Sequence, residues 1–172
     1  MLWHLSSRGD KRALPLADRH YNRQKVGSSQ FVPPGRCVVL LTANADAVWV
    51  TSWPFAEYVK HEWAGAWVNS LFRNESTVLS SELIRQAIAA TRAIWDEVPA
   101  LGCVSFVDHR KTRRKRDPGR CYRKAGFEHV GFTKSDKLYA MQLLAAGMPP
   151  AEPALPMKEA QIGQLSFLAS GR

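Results

Sequence analysis

Between Arg110 and Lys124 (RKTRRKRDPGRCYRK), nine of the chain's 24 Lys and Arg side chains stand against one acid, Asp117, so this stretch holds +8 of the net +9. Charge concentrated in this way is directed at a polyanion, either a nucleic-acid backbone or the phosphates of a nucleotide cofactor. Arg110, Lys111, Arg113, Arg114, Lys115, Arg116 and Arg120 are the candidate phosphate contacts; a solvated basic loop is the plainer alternative. Asp108 precedes the run at the end of a strand-like segment, where a carboxylate needs partners; it can orient a substrate amine, act as a base, or anchor the Arg-rich loop. Tyr122 follows in a helix-like segment. His20 has a side chain suited to base chemistry near neutral pH or to a helix surface. Arg73 can hold a donor carboxylate or phosphate, or pair with Glu75 or Glu82.

At 172 residues, 45% hydrophobic and with six Trp and seven Phe, the chain is long enough to bury a core as one domain and is not intrinsically disordered as a whole. Its apolar runs, such as CVVLLTA and LYAMQLLAAGM, fall short of the ~20 residues that span a bilayer, which implies a soluble protein without a membrane partner. MLWHLSSRGDKR lacks the pattern of a secretory leader, so the cytoplasm is the expected compartment. Cys37, Cys103 and Cys121 never form a CxxC pair, and the five histidines have no ligand spacing, so no disulfide framework and no metal site is expected.

The elements that must position these groups follow from pattern. Residues 14–24 begin as a short helix and end in polar residues able to carry function. RCVVLLTA and AVWVTSW form a hairpin around Asn44, Ala45 and Asp46; FAEYVKHEWAG is an irregular or helical excursion after Pro54; AWVNSLFRN is a third strand. Ser80, as N-cap with Glu82 in the first turn, opens the longest helix, running to about Glu97 with Leu83, Ile84, Ala87, Ile88, Thr91, Ile94 and Trp95 on one face. GCVSFVD is a buried strand, parallel to the third and joined to it by a right-handed crossover. Pro118 and Gly119 open a short helix ending at Gly126, and FEHVGFT and KLYAMQLL close the sheet. From about Ala145 the Pro- and Ala-rich composition reads as a linker and mobile tail, so the domain is expected over 1–144 with a tail over 145–172. The class is α+β around one sheet.

This order, together with CYRKAGFEHVGFT, resembles the GNAT acyltransferase fold, in which a helix bearing a Tyr and ending in Gly-Phe leads to a final hairpin; Tyr122, Gly126 and Phe127 are the matching residues. The resemblance implies a mixed, mostly antiparallel central sheet flanked by helices in a single domain, and a general-acid role for Tyr122 toward a departing coenzyme A thiolate. The junction FRNESTVLSSELI departs from the family, having no glycine where acetyl-CoA enzymes place a glycine-rich pyrophosphate loop. Acyl-CoA remains a possible donor without that standard loop, and the donor is left unassigned.

A closer pattern resemblance is to the Mom-type DNA-modification proteins of phages, which alter adenine in DNA on a GNAT-like fold. His20 and Tyr21 resemble the early His-Tyr pair, Arg73 and Asn74 with Ser80 and Ser81 the strand exit and helix start, SFVD the strand ending in Asp108, and Tyr122 with Phe127 the following helix. The resemblance spans roughly residues 18 to 143, without the basic insertion. It implies a transferase that places a small acyl or carbamoylmethyl-like group on a nucleobase amine in DNA, in the cytoplasm of a bacterial or phage-infected cell. Tyr122, Asp108, His20 and Tyr21 would react or orient; Arg73, Asn74, Ser80 and Ser81 would hold the small-molecule donor. Trp49, Trp53, Phe55, Tyr58, Trp63 and Trp67 supply core, and the FAEYVKHEW excursion is placed to stack a base taken out of the duplex. The alternatives are a conventional acyl-CoA N-acetyltransferase acting on a small amine or hypermodified base, and a non-catalytic nucleic-acid-binding protein on a degenerate transferase fold. The pattern assigns neither the target base nor the oligomeric state.

Overall fold

The computed structural model describes residues 1–112 and 117–157. Strands β1 (Trp3–Ser6), β2 (Arg36–Thr42), β3 (Ala47–Trp53), β4 (Trp67–Asn74), β5 (Cys103–Val107), β6 (Glu128–Phe132) and β7 (Tyr139–Leu143) are interleaved with helices α1 (Leu14–Asp18), α2 (Ser80–Ile94) and α3 (Arg120–Lys124). They form one sheet in the order β1-β2-β3-β4-β5-β7-β6. Every neighbouring pair is antiparallel except β4 and β5, which run parallel and are joined through α2. The fold is α+β with a mostly antiparallel sheet. No helix among the described residues is long and apolar enough to cross a membrane.

The β2–β3 hairpin closes at the expected turn because the Thr42 hydroxyl accepts from the Asp46 and Ala47 amides and donates to the Asp46 carboxylate. Two cores lie on opposite faces of the sheet. On one, α2 lays Leu83, Ile84, Ala87 and Ile88 over Trp3, Trp49, Trp67 and Met141; on the other, α1 lays Leu16 and Ala17 over Val39, Leu41, Val48 and Val50. Burying a leucine side chain contributes about 1.5–3 kcal/mol, so α1 is held by its two buried residues, Leu16 above all, despite its five-residue length.

Four expectations change. A first strand, Trp3–Ser6, precedes the first helix; it pairs with β2, and Trp3 donates its indole N–H to the Leu83 carbonyl at the start of α2. Ser80 is the first residue of α2 rather than its N-cap: Leu79 occupies the cap, and the Ser80 hydroxyl accepts from Asn74. The helix stops at Ile94, where Trp95 turns extended and enters the core against Trp53 and Trp67, with the Arg36 guanidinium over the Trp53 and Trp95 rings. The Pro-rich segment is packed as far as residue 157: Met148 is buried, the Glu152 amide donates to Ala89, and Leu155 exchanges backbone hydrogen bonds with Trp3 and Leu5. The remainder of the expected tail, including IGQLSFLAS, lies outside the described residues.

The feature that creates a site is a break in the sheet. The β4–β5 ladder ends after three residue pairs, at Asn69–Ser105, and β4 carries an irregularity at the same point, with Thr51 opposite Asn69 and Val50 opposite Leu71. An extra residue in one strand reverses the side-chain alternation beyond it. Leu71 accordingly joins the α1 core, whereas Phe72 packs against Trp49 and Tyr122 on the α2 face. Beyond this point β4 and β5 pair only with β3 and β7 among the described residues.

Candidate functional site

The divergence of β4 and β5 opens a cleft of about 910 Å³. Phe72, Val107 and Tyr122 form its inner wall; His20 and Tyr21, delivered by the end of α1, face Lys111, Thr112 and the Asp117–Cys121 turn, and the start of α2 contributes Leu79, Ser80 and Ser81. Gly119 precedes α3 as its N-cap with φ 78°, a left-handed value suited to glycine, and a Cβ there would stand 3.3 Å from Met141 Sδ. That turn returns the chain from the basic segment to the cleft.

Behind the wall lies a neutral, buried network centred on Asn69. Its Nδ2 donates to the carbonyls of Val50 (3.1 Å) and Leu71 (2.9 Å), satisfying backbone freed by the strand irregularity. Its Oδ1 accepts from the Tyr122 hydroxyl (2.7 Å) and the Ser105 hydroxyl (3.1 Å). Burial pushes the Tyr122 phenol well above the ordinary tyrosine range, so the proton stays on its oxygen and is committed to Asn69. The ring of Tyr122 faces the cleft region while its hydroxyl ties α3 to β4.

The rim is charged. Arg73 donates through Nε to Glu75 (2.6 Å) and through a terminal nitrogen to the Arg19 carbonyl (2.6 Å); Arg19 in turn donates to both oxygens of Glu75 (2.7 and 2.6 Å). These two guanidinium groups pull the Glu75 carboxyl down to about 2. Asn74 closes the turn into α2, accepting from Ser76 and donating to the Val78 carbonyl and Ser80 hydroxyl. Of the four residues expected to hold a donor, Arg73, Asn74 and Ser80 are thus bonded within the β4–α2 junction, and Ser81 stands beside them in the cleft lining.

His20 and Tyr21 stack with ring centroids 4.5 Å apart. Burial, with Arg73 and Lys111 nearby, lowers the His20 ring to about 4, so it is neutral at physiological pH. The Asn22 amide donates to Nδ1 (3.3 Å), which assigns the ring proton to Nε2. Tyr21 is 38% exposed. Burial of its phenol raises its pKa, a shift opposed by the Asp108 amide, which donates to the phenolic oxygen at 3.4 Å.

Asp108 sits one residue past β5 with its carboxylate turned into the following loop. Oδ1 accepts from the Arg110 amide and Nε and the Lys111 amide; Oδ2 accepts from Arg110. The Arg110 guanidinium, foremost among these contacts, holds the carboxyl below the usual range. Of the roles open to it in the sequence, loop anchoring is the one this geometry displays. Lys111 donates to the Tyr21 carbonyl (3.3 Å), and Lys111, Arg120 and Lys124 line the cleft. Arg113, Arg114, Lys115 and Arg116 lie outside the described residues, but Thr112 and Asp117 on either side of them both line the cleft.

The aromatic excursion does not form the base pocket expected of it. None of its residues lines the cleft; His61 and Trp63 pack on Phe106, which alternates to the opposite side of β5 from Ser105 and Val107. Trp49 and Trp67 are fully buried core. Asn69, Phe72 and Cys121 are site residues that pattern reading passed over. Asn69 had a visible signal: it is a polar residue two positions after Trp67 on the inward face of an apolar strand, a place where an amide needs partners. No protein-family model matches the chain, and comparison with curated proteins and with solved structures returns no match.

Proposed function

We propose that this protein transfers a small group to a nucleobase amine of DNA in the β4–β5 cleft. The observation that carries the reading is that Lys111, Arg120 and Lys124 line the cleft, as do Thr112 and Asp117, the described residues on either side of the Arg113–Arg116 run in the sequence. A cleft lined by Lys111, Arg120 and Lys124 suits a polymer of phosphates with one base inside. The resemblance to Mom-type proteins, through His20, Tyr21, Asp108 and Tyr122, supports the same reading.

In this proposal the amine lone pair forms an N–C bond to the electrophilic carbon of an activated donor. The donor's leaving group departs with the bonding electron pair, and the proton released by the amine is passed to it. Tyr21 is the accessible phenol for that relay; neutral His20 donates from Nε2 to the base or donor; Tyr122 shapes the wall, and Asp108 holds the loop that carries the DNA. The β5-facing edge of β4 beyond Asn69, which has no strand partner among the described residues, offers backbone groups to the donor.

Expressing the protein in a bacterial host, digesting the DNA to nucleosides and measuring their masses tests the reading. A heavier nucleoside in place of a fraction of one parent is expected; a profile identical to cells lacking the protein overturns it. A second reading, an acyl-CoA N-acetyltransferase, draws on the same splayed strands and the helix start at Ser80 and Ser81. It predicts a rise in melting temperature with acetyl-CoA. The glycine-free junction and its Asn74-tied turn weigh against it.

A further inference from the structure

Four rings gather where the loop after β5 meets the edge of the sheet. His109 stacks on Tyr139 at 4.6 Å with planes 17° apart; His129 lies 4.7 Å from Tyr139, and Phe132 stands edge-on to both, 5.2 Å from Tyr139 and 5.3 Å from His129. His109 Nδ1 is buried and has no hydrogen-bond partner among the described residues, so ring contact is what sets that imidazole in place. The group is nonetheless open on its outer side: Phe132 is 49% exposed and His129 is exposed. β6 is the outermost strand, and a half-bare aromatic on an edge strand is a feature proteins usually suppress unless something is meant to cover it.

Charge and position indicate what does. Tyr139 is paired with Val107 across the ladder, which puts it on the same face of the sheet as Ser105 and the Tyr122 network. His109 and Lys111 are two residues apart, so at most ~7 Å of backbone separates the stacked ring from the cleft wall. Arg110 stands between them, ion-paired to Asp108, and in the β6–β7 turn Lys134 pairs with Glu62 (3.5 Å) while Lys137 follows Asp136. A nucleobase has two apolar faces, and the polymer carrying it has a phosphate at every step; exposed rings flanked by the exposed cations Lys111 and Lys137 match both.

We propose that Phe132, His129 and Tyr139, backed by His109, are a stacking platform for an unpaired base of the same polynucleotide strand that enters the cleft. This deepens the DNA reading of the cleft and rests on it. The platform holds a base beside the one in the cleft, on the far side of the 108–112 loop, and so favours single-stranded or locally opened DNA.

The test is fluorescence anisotropy with a labelled oligothymidylate and a labelled duplex, using the full chain and its Phe132→Ala, His129→Ala and Phe132→Trp variants across a salt series. Phe132→Ala is expected to weaken single-strand binding about tenfold with an unchanged salt slope, because stacking releases no counterions. His129→Ala weakens it less, Phe132→Trp restores it, and duplex binding stays within twofold throughout. Phe132 is half exposed, so these variants should fold, which circular dichroism checks. Equal single-strand affinity for the full chain and Phe132→Ala overturns the platform while leaving the cleft reading intact; no DNA binding by the full chain overturns both. Sedimentation that finds a dimer for the full chain and a monomer for Phe132→Ala assigns the rings to self-association and also overturns the platform.

Discussion

Two sets of polar groups meet at the break between β4 and β5, and they are built on opposite terms. Behind the wall, Asn69, Tyr122 and Ser105 are neutral, buried and fixed to partners 2.7–3.1 Å away. Around the mouth, Arg19, Arg73, Glu75, Lys111 and Arg120 are charged and at least partly open to water. Buried neutral hydrogen bonds are insensitive to salt and costly to leave unmade; exposed charges contribute little to folding and much to attracting a polyanion. The inner network therefore keeps the sheet parted at one place, and the rim determines what is drawn there.

The sharpest way to break the contrast is Asn69→Leu. It orphans the Tyr122 and Ser105 hydroxyls and two backbone carbonyls, and should cost about 3 kcal/mol of unfolding free energy, equally at low and high salt, by urea denaturation. Exchanging the two phenols comes next. Tyr122→Phe should lose about 1–2 kcal/mol of stability through its single bond to Asn69 yet retain DNA modification, whereas Tyr21→Phe should change stability little and abolish modification. Replacing Lys111, Arg120 and Lys124 together with Ala should leave the unfolding midpoint nearly unchanged while making the log–log salt dependence of DNA binding shallower by about 2 to 3.

A smaller effect concerns pH. Because the His20 ring is lowered to about 4 in the fold from 6.5, the unfolded chain takes up its proton first as pH falls. Stability from this group is complete above 6.5 and declines between 6.5 and 4. His61, also lowered by burial, contributes in the same direction, while Glu75, Asp108, Asp18 and Glu82, all lowered, act only nearer pH 4 and below. Thermal unfolding of His20→Phe should therefore show a flatter decline between pH 6.5 and 4.5, with the His61 share remaining. The smallest effect is expected of Glu75→Gln: within ~1 kcal/mol in stability, with tighter DNA binding once Arg19 and Arg73 are released.

The strands from residue 36 to 74, the long helix, the β5 strand and the final hairpin were legible because each has enough residues to display its period and a turn at each end. β1 was not, since four residues alternate too briefly to stand out, and its hold on the sheet comes from Trp3 reaching Leu83 eighty residues away. The packed part of the Pro-rich segment was hidden for a related reason: its backbone bonds go to Trp3, Leu5 and Ala89, none of which a local pattern can show. In the site, Lys111, Arg120 and Lys124 of the basic segment, with His20, Tyr21 and Tyr122, could be picked out by type and do share the cleft. Asp108 could be picked out too, but the direction of its carboxylate depends on the Arg110 loop conformation. The aromatic excursion misled because composition cannot say on which side of a sheet a loop lies, and the bond between Asn69 and Tyr122 spans fifty-three residues.

The central claim, that the charged mouth of this cleft presents a DNA base for group transfer while the inner network only shapes it, is tested most directly by nucleoside mass spectrometry of DNA from cells expressing the wild-type chain, Tyr21→Phe or Tyr122→Phe at matched protein levels. The account predicts a heavier nucleoside with the wild-type chain and Tyr122→Phe and none with Tyr21→Phe. Unmodified DNA from cells expressing the wild-type chain, or a modified base that survives in Tyr21→Phe and disappears in Tyr122→Phe, would contradict it.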